Sequence, residues 1–290
     1  IADGGTVEGL TNLRTLAQNL RNSDLFERVT LGFFPSGVKA GRAYSLVPEN
    51  GSGGLTVVRN TTATTFNSSM ILVLAAANVP RLTYLTVGGN PFLLDEVQET
   101  NLQLRSEDFG NSYYNKSNAS VSVNVSTAPD GNTTADKLIP GNSNIRHDTA
   151  SFPSLTQGLT YTHSLFVKFD SHRYVAIGDR SNFIYFDFNT NTISNQNGTT
   201  NNGVFIYPNG WFRIFFTAPM AASPRHTIVS SPSIISGDLL SPYVSDGTSG
   251  TLIWGSQIVL TSNLSSYVPT ISAAVTRNAD VITVTPPSGT

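Results

Sequence analysis

The chain of 290 residues has no cysteine, which excludes disulfides, thiolate zinc sites and thiol nucleophiles. Its stability must therefore come from packing or from assembly. Charge is scarce too. Asp, Glu, Lys and Arg make up 12% of the residues and the net charge is −2, so the balance calls for no nucleic-acid or acidic-polymer partner. No run of about 18 apolar residues occurs, and the first residues carry no charged-then-apolar leader, so neither a membrane span nor a secretion signal is expected. Beyond residue 22, no segment repeats apolar residues at helical spacing.

What is present is a polar but uncharged surface of Asn, Ser, Thr and Gly around a core supply of 39% hydrophobic and 10% aromatic residues. Short apolar or alternating runs alternate with Gly, Asn, Asp, Ser and Pro, the pattern of antiparallel strands and turns. In Tyr161-Thr-His-Ser-Leu-Phe-Val-Lys-Phe169 the alternation sets Tyr161, His163, Leu165, Val167 and Phe169 on a core face and Thr162, Ser164, Phe166 and Lys168 on a mostly wet one. Around Trp211 to Phe216 both faces are apolar, which predicts a strand buried on both sides in mid-sheet. The expected class is all-β, a β-sandwich over 101–270 preceded by a small β module over 29–100 and a short helix in 1–28, with a strand and tail at 271–290. Strands of four to six residues make a poor core alone, so the module should lean on the sandwich or on another subunit.

Within the first segment, Leu10, Leu13, Ala17 and Leu20 form a short a/d seam. It either packs on its own domain or joins subunits.

Several motifs in order carry a resemblance. Thr100-Asn-Leu-Gln-Leu-Arg-Ser-Glu-Asp-Phe109, Ala128-Pro-Asp-Gly-Asn-Thr-Thr-Ala-Asp-Lys-Leu138, Gly210-Trp-Phe-Arg213, Leu252-Ile-Trp-Gly-Ser-Gln257 and Ser266-Tyr-Val-Pro-Thr270 resemble the carbohydrate-binding-like jelly-roll modules of bacteriophage virion appendages, meaning tail fibres, tailspikes and related head or tail decorations. Upstream, Gly37-Val-Lys-Ala-Gly-Arg-Ala-Tyr-Ser45 and Ala77-Asn-Val-Pro-Arg-Leu-Thr-Tyr84 resemble the small module before such a jelly roll. Downstream, Ala274-Val-Thr-Arg-Asn-Ala-Asp280 resembles the linker after it. The resemblance implies a non-enzymatic virion structural protein at the particle surface, extracellular, partnered by other virion proteins and by itself as a homotrimer, and contributing to host-surface glycan recognition or to particle architecture. A carbohydrate-binding module of a secreted or tailspike polysaccharide-degrading enzyme is the alternative. In two places the chain departs from the pattern: Tyr113-Tyr114 stands where a Trp is common, and no lectin-like domain follows Asp280, which favours a structural or linking piece.

Sugar binding needs an aromatic face with amides or carboxylates beside it. Tyr113, Tyr114, Tyr174, Tyr185, Tyr207 and Trp211 are the candidates, with core packing between the sheets as the competing role for Trp211 and Trp254. Asp95-Glu96 and Glu107-Asp108 are neighbours in sequence, so on a strand they point apart and read as solvated turn residues; no catalytic residue is assigned. The four histidines show no metal spacing and no metal ligand is assigned, while His163 reads as a hydrogen-bonded core residue. No cofactor is expected, although Asp130 in its Pro-Asp-Gly turn offers a carboxylate to a structural calcium.

Overall fold

The computed structural model describes the backbone of residues 35–39 and 42–45, and residues 55–179, 181–221 and 224–284. The helix expected in 1–28, with Leu10, Leu13, Ala17 and Leu20, lies outside the described residues. The first strands are β1 (Pro35–Lys39), β2 (Arg42–Ser45), β3 (Leu55–Val58), β4 (Ala63–Phe66), β5 (Leu72–Ala75), β6 (Arg81–Thr83), β7 (Phe92–Leu94) and β8 (Glu99–Asn101). Next come β9 (Asn115–Ser117), β10 (Ala119–Ser126), β11 (Ala135–Pro140), β12 (Asp148–Ser151), β13 (Thr160–Phe169), β14 (Tyr174–Gly178), β15 (Phe183–Asp187) and β16 (Thr192–Asn197). The remainder are β17 (Asn201–Ile206), β18 (Trp211–Pro219), β19 (His226–Ser231), β20 (Thr251–Val259), β21 (Val275–Arg277) and β22 (Val281–Val284). Among the described residues the helical content is one 3-10 turn, Pro208–Gly210.

The fold is an all-β jelly roll. One six-stranded sheet runs β10-β11-β20-β13-β18-β17 and the other β16-β15-β14-β19-β12-β9. At one side the chain passes directly from edge strand β9 to edge strand β10, and at the other from β16 to β17, so the two sheets are tied at both margins. Leu165, Val167, Ile214, Phe216 and Ile253 of the first sheet meet Val175, Ile177, Ile184, Phe186 and Ile228 of the second, while Phe109 and Tyr114 close the same core. Each such side chain contributes about 1.5–3 kcal/mol relative to exposure. His163 of β13 and His226 of β19 also meet between the sheets, Nδ1 to Nδ1 at 3.1 Å, with Phe216 stacked on His163.

Both outer faces are covered. Over the second sheet, Ile235, Leu239 and Tyr243 pack on Tyr174, Tyr185 and Val229. Over the first sheet, Leu72 and Phe66 of the small module pack on Phe166, Trp211, Trp254 and Tyr267. Three expectations are corrected by this cover. The faces of β13 differ from the alternation: the second is not wet, because Thr162, Ser164 and Phe166 are buried, and Phe169 at the end of the core face is half-exposed. Trp211 and Trp254 are buried as expected of packing residues, but on the outer face of the first sheet rather than between the sheets. The strand β18 is buried on both faces yet lies next to the edge strand β17, not in mid-sheet. A bulge between β13 and β20 places one extra residue of β20 opposite β13. Gly255 takes it with φ +60°, where an added Cβ would lie 2.8 Å from the Phe166 ring, so only glycine suits the site.

The last described strands are part of the small module. The strand β22 pairs with β3 to complete the sheet β1-β2-β3-β22, and β21 pairs with β8. Where these meet, three arginines are buried. Arg59 donates to Asp280 at 2.7 Å and to the carbonyls of Ala76 and Val79. Arg81 donates to Asp280 and, at 2.8 Å, to Glu96. Arg277 lies 3.6 Å from Glu96 and donates to the Val97 carbonyl at 2.7 Å. Burial opposes the Asp280 charge, but the hydrogen bonds from Arg81 and Arg59 outweigh it and hold the carboxyl below its ordinary range. Glu96 is held low against the same opposition by Arg277, Ser266 and Arg81, so it is a partly buried hub rather than a solvated turn residue.

Candidate functional site

Where three hairpin tips converge on the outer face of the first sheet, a cleft of about 500 Å³ opens between the small module and the sandwich. The first tip is the β4–β5 turn. There the Asn67 side-chain oxygen accepts from the amides of Ser69 and Ile71, each at 3.0 Å. The second is the β10–β11 turn, where Asp130 accepts from the Asn132 amide at 3.0 Å and from its side chain at 2.7 Å. The third is the Pro208–Gly210 turn, with proline at its start. Each tip holds a residue in the left-handed region: Met70 (φ 58°), Gly131 (φ 85°) and Asn209 (φ 61°). Gly and Asn adopt that conformation readily. Methionine does not, and such strain persists only where the surroundings enforce it.

The tips are bonded to one another. The Leu72 amide donates to the Pro129 carbonyl at 2.9 Å, and the Trp211 indole N–H donates to the Thr127 carbonyl at 3.0 Å. Lys168, at the end of β13, pairs in register with Trp211 and brings the single charge in the cleft lining. Among the described residues it forms no ion pair and no side-chain hydrogen bond. Its neighbours in the lining are apolar or neutral, including Ile71, Tyr207 and Pro208. Burial pushes the Tyr207 phenol up, with Arg213 pulling the other way.

Of the aromatic residues read from the sequence, Tyr207 and Trp211 reach this cleft, and neither offers it an open ring face. Phe66 is stacked on Tyr207 at 4.5 Å, and Trp211 is buried. The other four lie elsewhere. Tyr114 is in the core between the sheets, bonded to Gln103 at 2.9 Å, with half-buried Tyr113 edge-on beside it. Tyr185 and Tyr174 belong to the cluster over the second sheet, and the Arg173 guanidinium covers the Tyr174 ring at 4.9 Å. Thus the loop pair Tyr113-Tyr114 and the strand tyrosines do not form an exposed platform; packing uses their faces first, because a large aromatic gains most from burial.

Lys168, Thr127, Met70 and Asn209 were not singled out by sequence reasoning. Of the turns that carry them, the sequence marked Pro129-Asp-Gly, but nothing in a one-dimensional pattern brings three turns together. Both oxygens of Asp130 serve its own turn. Among the described residues no three His, Cys, Asp or Glu side chains are grouped to hold a metal. The second carboxylate pair is also engaged, since Glu107 accepts from the Tyr267 hydroxyl at 2.9 Å and Asp108 from Asn111 at 3.1 Å. No described helix is long and apolar enough to cross a membrane.

No protein-family model matches the chain, and no curated protein matches it. Among solved structures, 60% of the chain is similar to 30% of a Clostridium thermocellum endo-1,4-β-D-xylanase 10B structure, its CBM22-1 and GH10 modules complexed with xylohexaose, at 14% identity and a TM-score of 0.30.

Proposed function

We propose that this chain is a non-enzymatic structural protein of a bacteriophage particle, an appendage subunit displayed outside the virion and assembled with other virion proteins and with copies of itself, as a homotrimer. The observation that supports it best is the joint between module and sandwich. The outer sheet face that an isolated sandwich would leave open is packed under Phe66 and Leu72, and Arg59, Arg81, Glu96 and Asp280 lock the adjoining chain segments. A stiff two-part arm suits load-bearing in a particle better than turnover of a substrate. Two experiments test this reading. Native mass spectrometry of the full chain is expected to show trimers, and a monomer at all concentrations rules out self-assembly. Immunogold electron microscopy of the particle is expected to label its surface, and its absence there ends the virion assignment.

A second reading, contact with surface glycan, is favoured by the cleft at the joint. It lies at hairpin tips above the sheet, as ligand sites on loops over a scaffold commonly do. It applies equally to the alternative of a binding module attached to a polysaccharide-degrading enzyme. A search of the flanking reading frames separates that class, because a binding module of such an enzyme has a catalytic domain beside it in the full gene.

A further inference from the structure

We propose that the cleft at the joint takes an anionic saccharide, a sugar bearing a carboxylate, with Lys168 reading its charge. This rests on the glycan reading above and deepens it. Three observations converge. First, the lining carries one charge, positive, and no carboxylate. A half-buried ammonium that forms no ion pair among the described residues leaves an acceptor site open, and an acid group there would gain a charge-assisted hydrogen bond. Second, the ring faces are spent: Phe66 takes Tyr207 and Trp211 is buried. A neutral sugar held by stacking would have little to rest on, so charge and hydrogen bonds must supply the recognition. Third, the Met70 backbone is held in a left-handed conformation at the cleft wall. That conformation is costly for a methionine and is enforced here by the Asn67 turn, so the wall is preformed rather than shaped by the ligand.

The geometry also sets the role of each group. Lys168 is the penultimate residue of β13, its Cα paired with Trp211 on one side and Leu252 on the other, so its backbone is fixed and the side chain adapts. Thr127 is exposed at the opposite wall and offers a hydroxyl to a sugar ring. The exposed Asn209 offers an amide that can donate and accept at once.

The test uses the full chain and three probes by calorimetry at low and at physiological salt: a hexuronic acid oligosaccharide, its carboxyl-reduced neutral counterpart and inorganic phosphate. The expected result is binding of the acidic oligosaccharide at least about tenfold tighter than the neutral one, weakened by salt, and reduced to the neutral level by Lys168→Met. The Lys168→Met protein must keep the parent's thermal midpoint. Thr127→Tyr, which fills the mouth while keeping the backbone carbonyl used by Trp211, is expected to abolish binding. Equal affinity for acidic and neutral sugars overturns the charge assignment and leaves glycan binding standing. Binding unchanged in Thr127→Tyr overturns the location. Binding of phosphate as tight as that of the uronate overturns the saccharide class, and no binding of any probe overturns both this inference and the glycan reading.

Discussion

Two interfaces hold this protein together, and they are built from opposite materials. Between the sheets of the sandwich, Leu165, Ile177, Ile184 and Phe186 meet side chain to side chain. At the joint where chain end meets small module, the largest buried side chains include three arginines, Arg59, Arg81 and Arg277. The difference follows from what each must do. Two broad sheets present enough apolar area to associate without direction. The strands of the module are three to five residues long, so they cannot bury enough, and directional bonds from the guanidinium groups to carboxylates and loop carbonyls position segments far apart in sequence. Buried ion pairs add little net stability over an apolar core, but removing one partner is severe. The joint is therefore specific and brittle, while the sandwich is strong and tolerant.

The sharpest way to break this contrast is Asp280→Ala, which leaves Arg59 and Arg81 facing each other without their shared carboxylate. The expected loss is about 3–5 kcal/mol, confined to β3, β21 and β22 and read by hydrogen exchange as lost protection there while β13 and β18 keep theirs. Uniform loss across both regions would show that the joint and the sandwich unfold as one unit.

Acid provides the next largest effect, with opposite signs in the two regions. Burial lowers the His226 pKa from 6.5 to about 4, and burial together with His226 holds His163 well below its ordinary value. A depressed folded pKa means that the folded state resists the proton, so the sandwich keeps full stability above pH 6.5 and loses it as pH falls toward 4, by ~3 kcal/mol for His226. At the joint, burial raises Glu99 to about 7, against the pull of Arg277 and with a smaller push from Glu96. Its proton is bound more tightly when folded, so its contribution is complete below the ordinary value of 4.5 and is lost as pH rises through 7. Exchange measured at pH 7 and pH 5 should therefore loosen the sandwich and tighten β8 and β21. His226→Gln should flatten the first response, and Glu99→Gln the second.

A smaller change tests the tolerance of the apolar layer. Ile184→Val should cost about 1 kcal/mol in denaturant unfolding, with both regions still melting in their original order. The smallest effect is expected at the half-exposed pair of Lys137 and Asp170, 2.6 Å apart. There Lys137→Gln should shift stability by less than about 1 kcal/mol, and added salt should mimic it. A larger effect would mean that surface charge contributes to this sparsely charged protein beyond its usual share.

Much of the sandwich was legible in the sequence, and the reason is visible in the strands themselves. The strands β13, β14, β15, β18 and β20 are runs of apolar or alternating residues, and a pleated strand with a buried face must show that pattern. Three sandwich strands escaped because their residues are polar, the shortest of them the edge strand β9, Asn115-Lys-Ser117. The sequence Asp148-Thr-Ala-Ser151 is buried as β12, where Arg146 and Arg225 pair with Asp148, and Thr192 to Asn197 forms the exposed edge strand β16. In all three, the backbone ladder and specific partners, rather than side-chain hydropathy, decide the conformation. The joint was not legible, because Arg59 and Asp280 are 221 positions apart and each looks like an ordinary surface charge. The candidate site was half legible. Its turns announce themselves through Gly, Pro, Asn and Asp, and two of its aromatics were named, but the stacking role given to those aromatics was already taken by Phe66 and by the sheet.

By itself the sequence determined that this protein is all-β, without disulfides and low in charge, because strand alternation, turn residues and composition act locally and can be read locally. Only the tertiary structure decided which faces are open, that β22 returns to complete the sheet of the small module, and that three turns and one lysine share a cleft. Those outcomes depend on which surfaces meet across hundreds of residues, and burial, not residue type, then settles what each aromatic and each charge is free to do.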